Sequence, residues 1–114
     1  MALQIGNDIS KDRSRCLIAS IIRPEAEVHL KELKARQREI IVDSVTNQLQ
    51  YQPNVETQKR KLMRPNPLAQ WELRLGDLRV YYQIEEEPEP IVNIRAIGVK
   101  VRNRVFIAGE EVQL

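Results

Sequence analysis

The stretch from Trp71 to Ile84 restricts the possible folds more than any other part of the chain. Trp71, Leu73 and Leu75 alternate with Glu72 and Arg74. Gly76-Asp77 interrupts, and Leu78, Val80, Tyr82 and Ile84 then alternate with Arg79, Tyr81 and Gln83. Period 2 on both sides of a Gly-containing break predicts a β-hairpin with one apolar and one polar face. Glu85 to Pro90 supply a longer acidic turn, and Ile91 to about Val101 predicts a further strand. Alternation assigns Val92, Ile94 and Ala96 of that strand to the apolar face. Glu72, Arg74, Arg79, Tyr81, Gln83, Asn93 and Arg95 fall on the opposite, mostly cationic face, which carries one ring.

Upstream the period changes. Residues 16–23 are apolar and β-rich, predicting a first strand, and Pro24 suits the first turn of a helix. Ala26, Leu30 and Leu33, then Ile41, Val45 and Leu49, recur at helical spacing. The polar stretch from Lys34 to Arg38 separates the two sets and predicts a corner between antiparallel helices. Tyr51-Gln52-Pro53-Asn54 ends the second helix, and residues 54–69 read as a basic loop. The order is β-α-α-β-β-β. It predicts an α+β domain: a small, twisted, mostly antiparallel sheet with two N-terminal antiparallel helices packed on one face. The expected division is a flexible arm at 1–15, a domain at 16–106 and a tail at 107–114, with Arg102 to Leu114 either a short helix or extended.

The chain has 114 residues, 42% of them hydrophobic, which suits one domain with one modest core. A single cysteine, Cys16, excludes an internal disulfide, and with a single histidine, His29, it argues against structural zinc. Cys16 reads as a buried, inert thiol and His29 as a solvated helix residue. No metal and no cofactor is expected. The first residues lack a charged, apolar leader, and no apolar run is long enough to span a membrane, so a soluble, cytoplasmic protein is expected.

What remains is cationic. Between Lys59 and Arg79 six basic residues (Lys59, Arg60, Lys61, Arg64, Arg74 and Arg79) face two acidic ones, Glu72 and Asp77. Arg95, Lys100, Arg102 and Arg104 follow. Phosphates are the ligands such a set suits, through charge and bidentate guanidinium contacts. The alternative is a solvated surface with scattered ion pairs.

The run Trp71-Glu72-Leu73-Arg74-Leu75-Gly76-Asp77-Leu78-Arg79-Val80-Tyr81-Tyr82, with Lys61-Leu62 upstream and Ile97-Gly98 and Phe106 downstream, resembles the RelE/ParE toxin superfamily. The resemblance covers roughly Ile18 to Phe106. It implies the toxin of a type II toxin–antitoxin pair, with a cognate antitoxin as partner, in a hetero-complex or as a dimer. One branch cleaves messenger RNA on the ribosome; another poisons DNA gyrase; a member that only binds its antitoxin is a third possibility. For the cleaving branch the resemblance assigns Arg79, Lys100 and Glu72 to catalysis. Lys59, Lys61, Arg64, Arg74, Arg95, Arg102 and Arg104 are assigned to nucleic-acid binding. Gln70 and Glu72 stand where the family has strand lysines, and Phe106 where it has a tyrosine.

Overall fold

The computed structural model describes residues 18–112; the expected arm at 1–15, Cys16 and the last two residues lie outside that range. Within it the order is β1 (Ala19–Ile22), α1 (Pro24–Lys31), α2 (Ala35–Leu49), β2 (Arg60–Leu62) and β3 (Trp71–Leu75). There follow β4 (Leu78–Glu85), β5 (Ile91–Val101), β6 (Arg104–Ile107) and β7 (Glu110–Val112). One sheet runs β2-β3-β4-β5-β6-β7, antiparallel throughout, and β1 pairs in parallel with the first half of β5. This is the expected α+β arrangement with more strands. No helix among the described residues is long and apolar enough to cross a membrane.

Local chemistry explains most boundaries. Pro24 opens α1, with Glu25 and Glu27 in its first turn facing the positive helix end. The corner is tighter than expected, at 32–34. The side chain of Gln37 accepts the Lys34 amide at 3.1 Å, and the Arg38 guanidinium donates to the Leu33 carbonyl in the corner and, at 3.4 Å, to the Lys31 carbonyl at the end of α1. Arg60 does the same for α2: it donates to the carbonyls of Gln48, Tyr51 and Val55, anchoring β2 beneath the helix end.

Both helices cover one face of the sheet. Ala26 of α1 and Ile41, Val45 and Leu49 of α2 pack on Trp71, Leu73, Leu78, Val80, Tyr82, Val92, Ile94 and Ile97. Trp71 stacks on Tyr82, with ring centroids 6.1 Å apart, and the Tyr82 hydroxyl donates to the Pro53 carbonyl at 2.7 Å. A buried phenol is therefore satisfied on this side.

Three expectations need correction. Ala96 does not face the helices. Tyr81 pairs with Ala96 and Tyr82 with Ile94, so Arg95 is an extra residue, a β-bulge that reverses the alternation. Beyond it Ile97 and Val99 turn to the helices, while Ala96, Gly98 and Lys100 turn away. Residues 104–112 are neither helix nor extended tail but a hairpin: β6 pairs with β5 and β7 with β6. Its turns place Arg102 and Asn103 at φ 52° and 68°, and Ala108 and Gly109 at φ 54° and 82°. Two successive positive φ values give the twist that tight hairpins favour. Finally, His29 is half-buried and engaged, not a free surface residue. Its Nδ1 accepts the Ile97 amide at 3.3 Å, tying α1 to β5 just past the bulge. Burial lowers its pKa below the usual value, against the opposing pull of Glu32 and Glu25.

Candidate functional site

The face away from the helices is concave. A second, smaller apolar set lies there: Tyr81, Ala96, Ala69 and Ile107, flanked by Met63, Leu68, Val105 and Val112. Segment 63–69 folds over one side. It is held by Asn66, whose Oδ1 accepts the amides of Leu68 (2.8 Å) and Ala69 (3.1 Å) and whose Nδ2 donates to the Arg64 carbonyl. The β6–β7 hairpin walls the other side. Gly98 allows that approach: a Cβ there would stand 3.0 Å from the Phe106 carbonyl oxygen and from an Ile107 side-chain carbon.

Between these walls lies an open cavity of about 390 Å³. Lys61, Arg64, Arg74, Arg79, Lys100 and Arg104 line it, with Glu72 and Glu111 as the acidic members. Six cations against two carboxylates leave an excess of positive charge in a partly enclosed space, where field lines concentrate. The expected catalytic set, Arg79, Lys100 and Glu72, is brought together. So are four of the seven expected binding residues. Lys59, Arg95 and Arg102 are not among the lining residues. Lys59 lies before β2, Arg102 sits in the exposed β5–β6 turn, and Arg95 occupies the bulge, donating to Gln83 Oε1 at 3.4 Å.

Arg79 differs from an exposed strand arginine. It is 8% exposed, and its Nη1 donates to the carbonyls of Gly76 (2.6 Å) and Leu78 (2.8 Å), clamping the β3–β4 turn. The amide of Lys100 donates to the Asp77 carbonyl at 2.7 Å, fastening the same turn to β5. Glu72 accepts from Arg74 Nε at 2.8 Å and lies 4.0 Å from Arg79 Nε. Arg104 and Glu111 approach to 3.9 Å across the β6–β7 pair.

Besides Asn66, three polar lining residues stand outside the expected site set. Tyr81 is the ring on the polar face, and it sits at the floor of the cavity, fully buried. Burial first, then the adjacent Glu72 carboxylate, raises its pKa well above the usual value. The other two, Asn103 and Glu111, belong to the hairpin the sequence did not reveal. Phe106, by contrast, pairs with Val99 and so faces the helix side, away from Val105 and the cavity. Gln70 is also outside it, accepting the Ile84 amide.

No protein-family model and no curated protein matches the chain. Among solved structures, a chain of the crystal structure of the toxin–antitoxin complex RelBE2 from Mycobacterium tuberculosis is similar. The match has 18% sequence identity and a TM-score of 0.59, and it covers 74% of this chain and 99% of that one. This likeness shows that the chain has a RelE-like α+β fold.

Proposed function

We propose that the chain is the toxin of a type II toxin–antitoxin pair, and that its open face binds RNA on the ribosome and promotes ribosome-dependent cleavage of messenger RNA. The observation that carries this reading is the convergence of Lys61, Arg64, Arg74, Arg79, Lys100 and Arg104 on one cavity. The structural likeness to a chain of a toxin–antitoxin complex supports the same class.

The roles follow from the chemistry. Strand scission by a 2′-hydroxyl requires a proton acceptor, stabilisation of charge growing on the phosphate, and a donor to the leaving oxygen. Glu72 is the carboxylate placed to accept the proton. Arg79 and Lys100 stabilise the phosphate, Lys61, Arg64, Arg74 and Arg104 steer and hold the strand, and the leaving 5′-oxygen takes its proton from water in the open cavity. Sequence-independent phosphate contacts of this kind make affinity fall with salt.

A cognate antitoxin is the protein partner, as an acidic or amphipathic segment that orders on binding. The second reading, a member that only binds its antitoxin, is favoured by one observation: Glu72 already engages Arg74 and lies near Arg79. Expression without antitoxin separates the readings. A fall in methionine incorporation ahead of thymidine incorporation is the expected result. Thymidine falling first indicates a gyrase poison, and unaffected growth with folded, soluble protein indicates the binding-only member.

A further inference from the structure

β3 and β4 place Arg74 directly opposite Arg79, and Glu72 directly opposite Tyr81. Like charges facing each other across a strand pair destabilise a sheet. Two guanidinium groups in register therefore call for an anion between them. Glu72 supplies it, with one carboxylate oxygen on Arg74 and the other toward Arg79. The carboxylate stands where a bound oxyanion belongs.

The neighbouring hydroxyl completes the picture. Tyr81 has no exposed surface, and its hydroxyl makes no hydrogen bond of good geometry among the described residues, although Glu72 stands close enough to raise its pKa. Phenylalanine would fill the same space without that cost. Tyr82, one residue on, is equally buried but is satisfied by Pro53. The polar side chain beside the covered Tyr81 hydroxyl is Glu72, its cross-strand partner.

We propose that Glu72 is the resident counter-ion of an oxyanion subsite formed by Arg74 and Arg79. An incoming phosphodiester displaces it from the two guanidinium groups, and one Glu72 oxygen then takes a hydrogen bond from the Tyr81 hydroxyl while the other is left to accept the 2′-hydroxyl proton. The proposal rests on the reading of this face as phosphate-binding and adds how its free state is held. Tyr81 is thus a positioning residue for Glu72. Its raised pKa keeps the hydroxyl protonated, so it remains a donor. The exchange also sets a threshold. A weak or singly contacting anion does not dislodge a carboxylate held in a charge-assisted bond, whereas a phosphodiester bridging both guanidinium groups does.

The test is calorimetric titration of the full chain with a short oligouridylate at low salt. Glu72→Gln removes the competing charge and should tighten binding by about three- to tenfold, the range expected for a partly exposed ion pair. Tyr81→Phe removes only the hydroxyl and should weaken binding by about threefold, a typical hydrogen-bond effect. In the Glu72→Gln background Tyr81→Phe should have no effect, because the displaced group no longer changes partner. Should Glu72→Gln not fold, the carbon resonance of the Tyr81 ring bearing the hydroxyl provides a second readout. It should shift on RNA addition in the natural sequence, and a resonance that does not move contradicts the exchange. Unchanged or weaker binding by Glu72→Gln overturns the proposal, as does an equal loss from Tyr81→Phe in both backgrounds. In those cases the face still binds RNA. If neither the natural sequence nor Glu72→Gln binds, the phosphate-binding reading fails and the exchange with it.

Discussion

The two faces of one sheet use the same strands for opposite ends. The helix side joins large aliphatic and aromatic side chains that need no polar partners, and its one buried phenol, Tyr82, is hydrogen-bonded. The open side gathers cations around a buried phenol, Tyr81, that is not. One face is closed by α1 and α2; the other is only walled, by segment 63–69 and the C-terminal hairpin. Residues on the first face act through packing. Those on the second are spaced by backbone anchors, as Arg79 and Lys100 are at the β3–β4 turn, and this leaves charge available to a ligand. The contrast predicts which substitutions unfold the protein and which disable it.

The largest effect belongs to the closed face. Leu73→Ala removes a fully buried side chain between α2 and the sheet. It should cost about 2–5 kcal/mol, measured by chemical denaturation. A loss below about 1 kcal/mol would mean that the face repacks and is less tightly closed than its burial indicates.

Arg79→Ala crosses the comparison, because this residue belongs to both faces' business. It lines the cavity, yet it also holds the Gly76 and Leu78 carbonyls. Truncation should lower stability by about 1–3 kcal/mol, the cost of leaving buried polar groups unpaired. Loss of toxicity in this variant would therefore not by itself locate a site. Sequence places Arg79 on the polar face but not on these carbonyls, since period 2 gives the face of a side chain and not its tether.

How much could be read from sequence divides along the same line. The hairpin at 71–84 and the two helices follow from local periodicity, and so does the polar face that carries Glu72, Arg74 and Arg79. The bulge at Arg95 left no signal: Ile94-Arg95-Ala96-Ile97 reads equally well as an uninterrupted strand, and the extra residue is visible only through its pairing with β4. The C-terminal hairpin was hidden because Arg102-Asn103 and Ala108-Gly109 lack the usual Asn-Gly or Asp-Gly pair. Alternation of Val105, Ile107 and Val112 was the available clue. Tyr81 was legible as a ring on the polar face, but its role depends on two walls from distant segments, 63–69 and the C-terminal hairpin.

The hairpin offers a smaller test. Ala108 holds φ 54°, a value that costs a side-chain-bearing residue about 1 kcal/mol relative to glycine. Ala108→Gly should raise stability by up to about 1 kcal/mol, with no loss of oligouridylate affinity. A decrease would show that the turn is not held at positive φ, and that this wall of the open face is built differently.

The smallest effect concerns His29, the polar link between α1 and β5. Its pKa is lowered by burial, so the unfolded chain binds the proton more readily. Its contribution is therefore present at higher pH. It is lost as pH falls through the usual histidine value of about 6.5 toward the lower folded value. Denaturation midpoints at about pH 7.5 and about pH 5.5 should differ more in the natural sequence than in His29→Gln, which keeps an acceptor but does not titrate. Identical differences would remove His29 as the link.

The central claim is that the open face acts through its charge and not through the stability it lends. The direct measurement is growth arrest on induction of the triple variant Lys61→Gln, Lys100→Gln, Arg104→Gln, alongside the Tm of the purified protein. Among the described residues these side chains make one ion pair, Arg104 with Glu111, which is long and exposed and contributes little. The account predicts that arrest is abolished while Tm stays close to that of the natural sequence. Full arrest by the folded triple variant would contradict it and move the toxic surface elsewhere on the molecule.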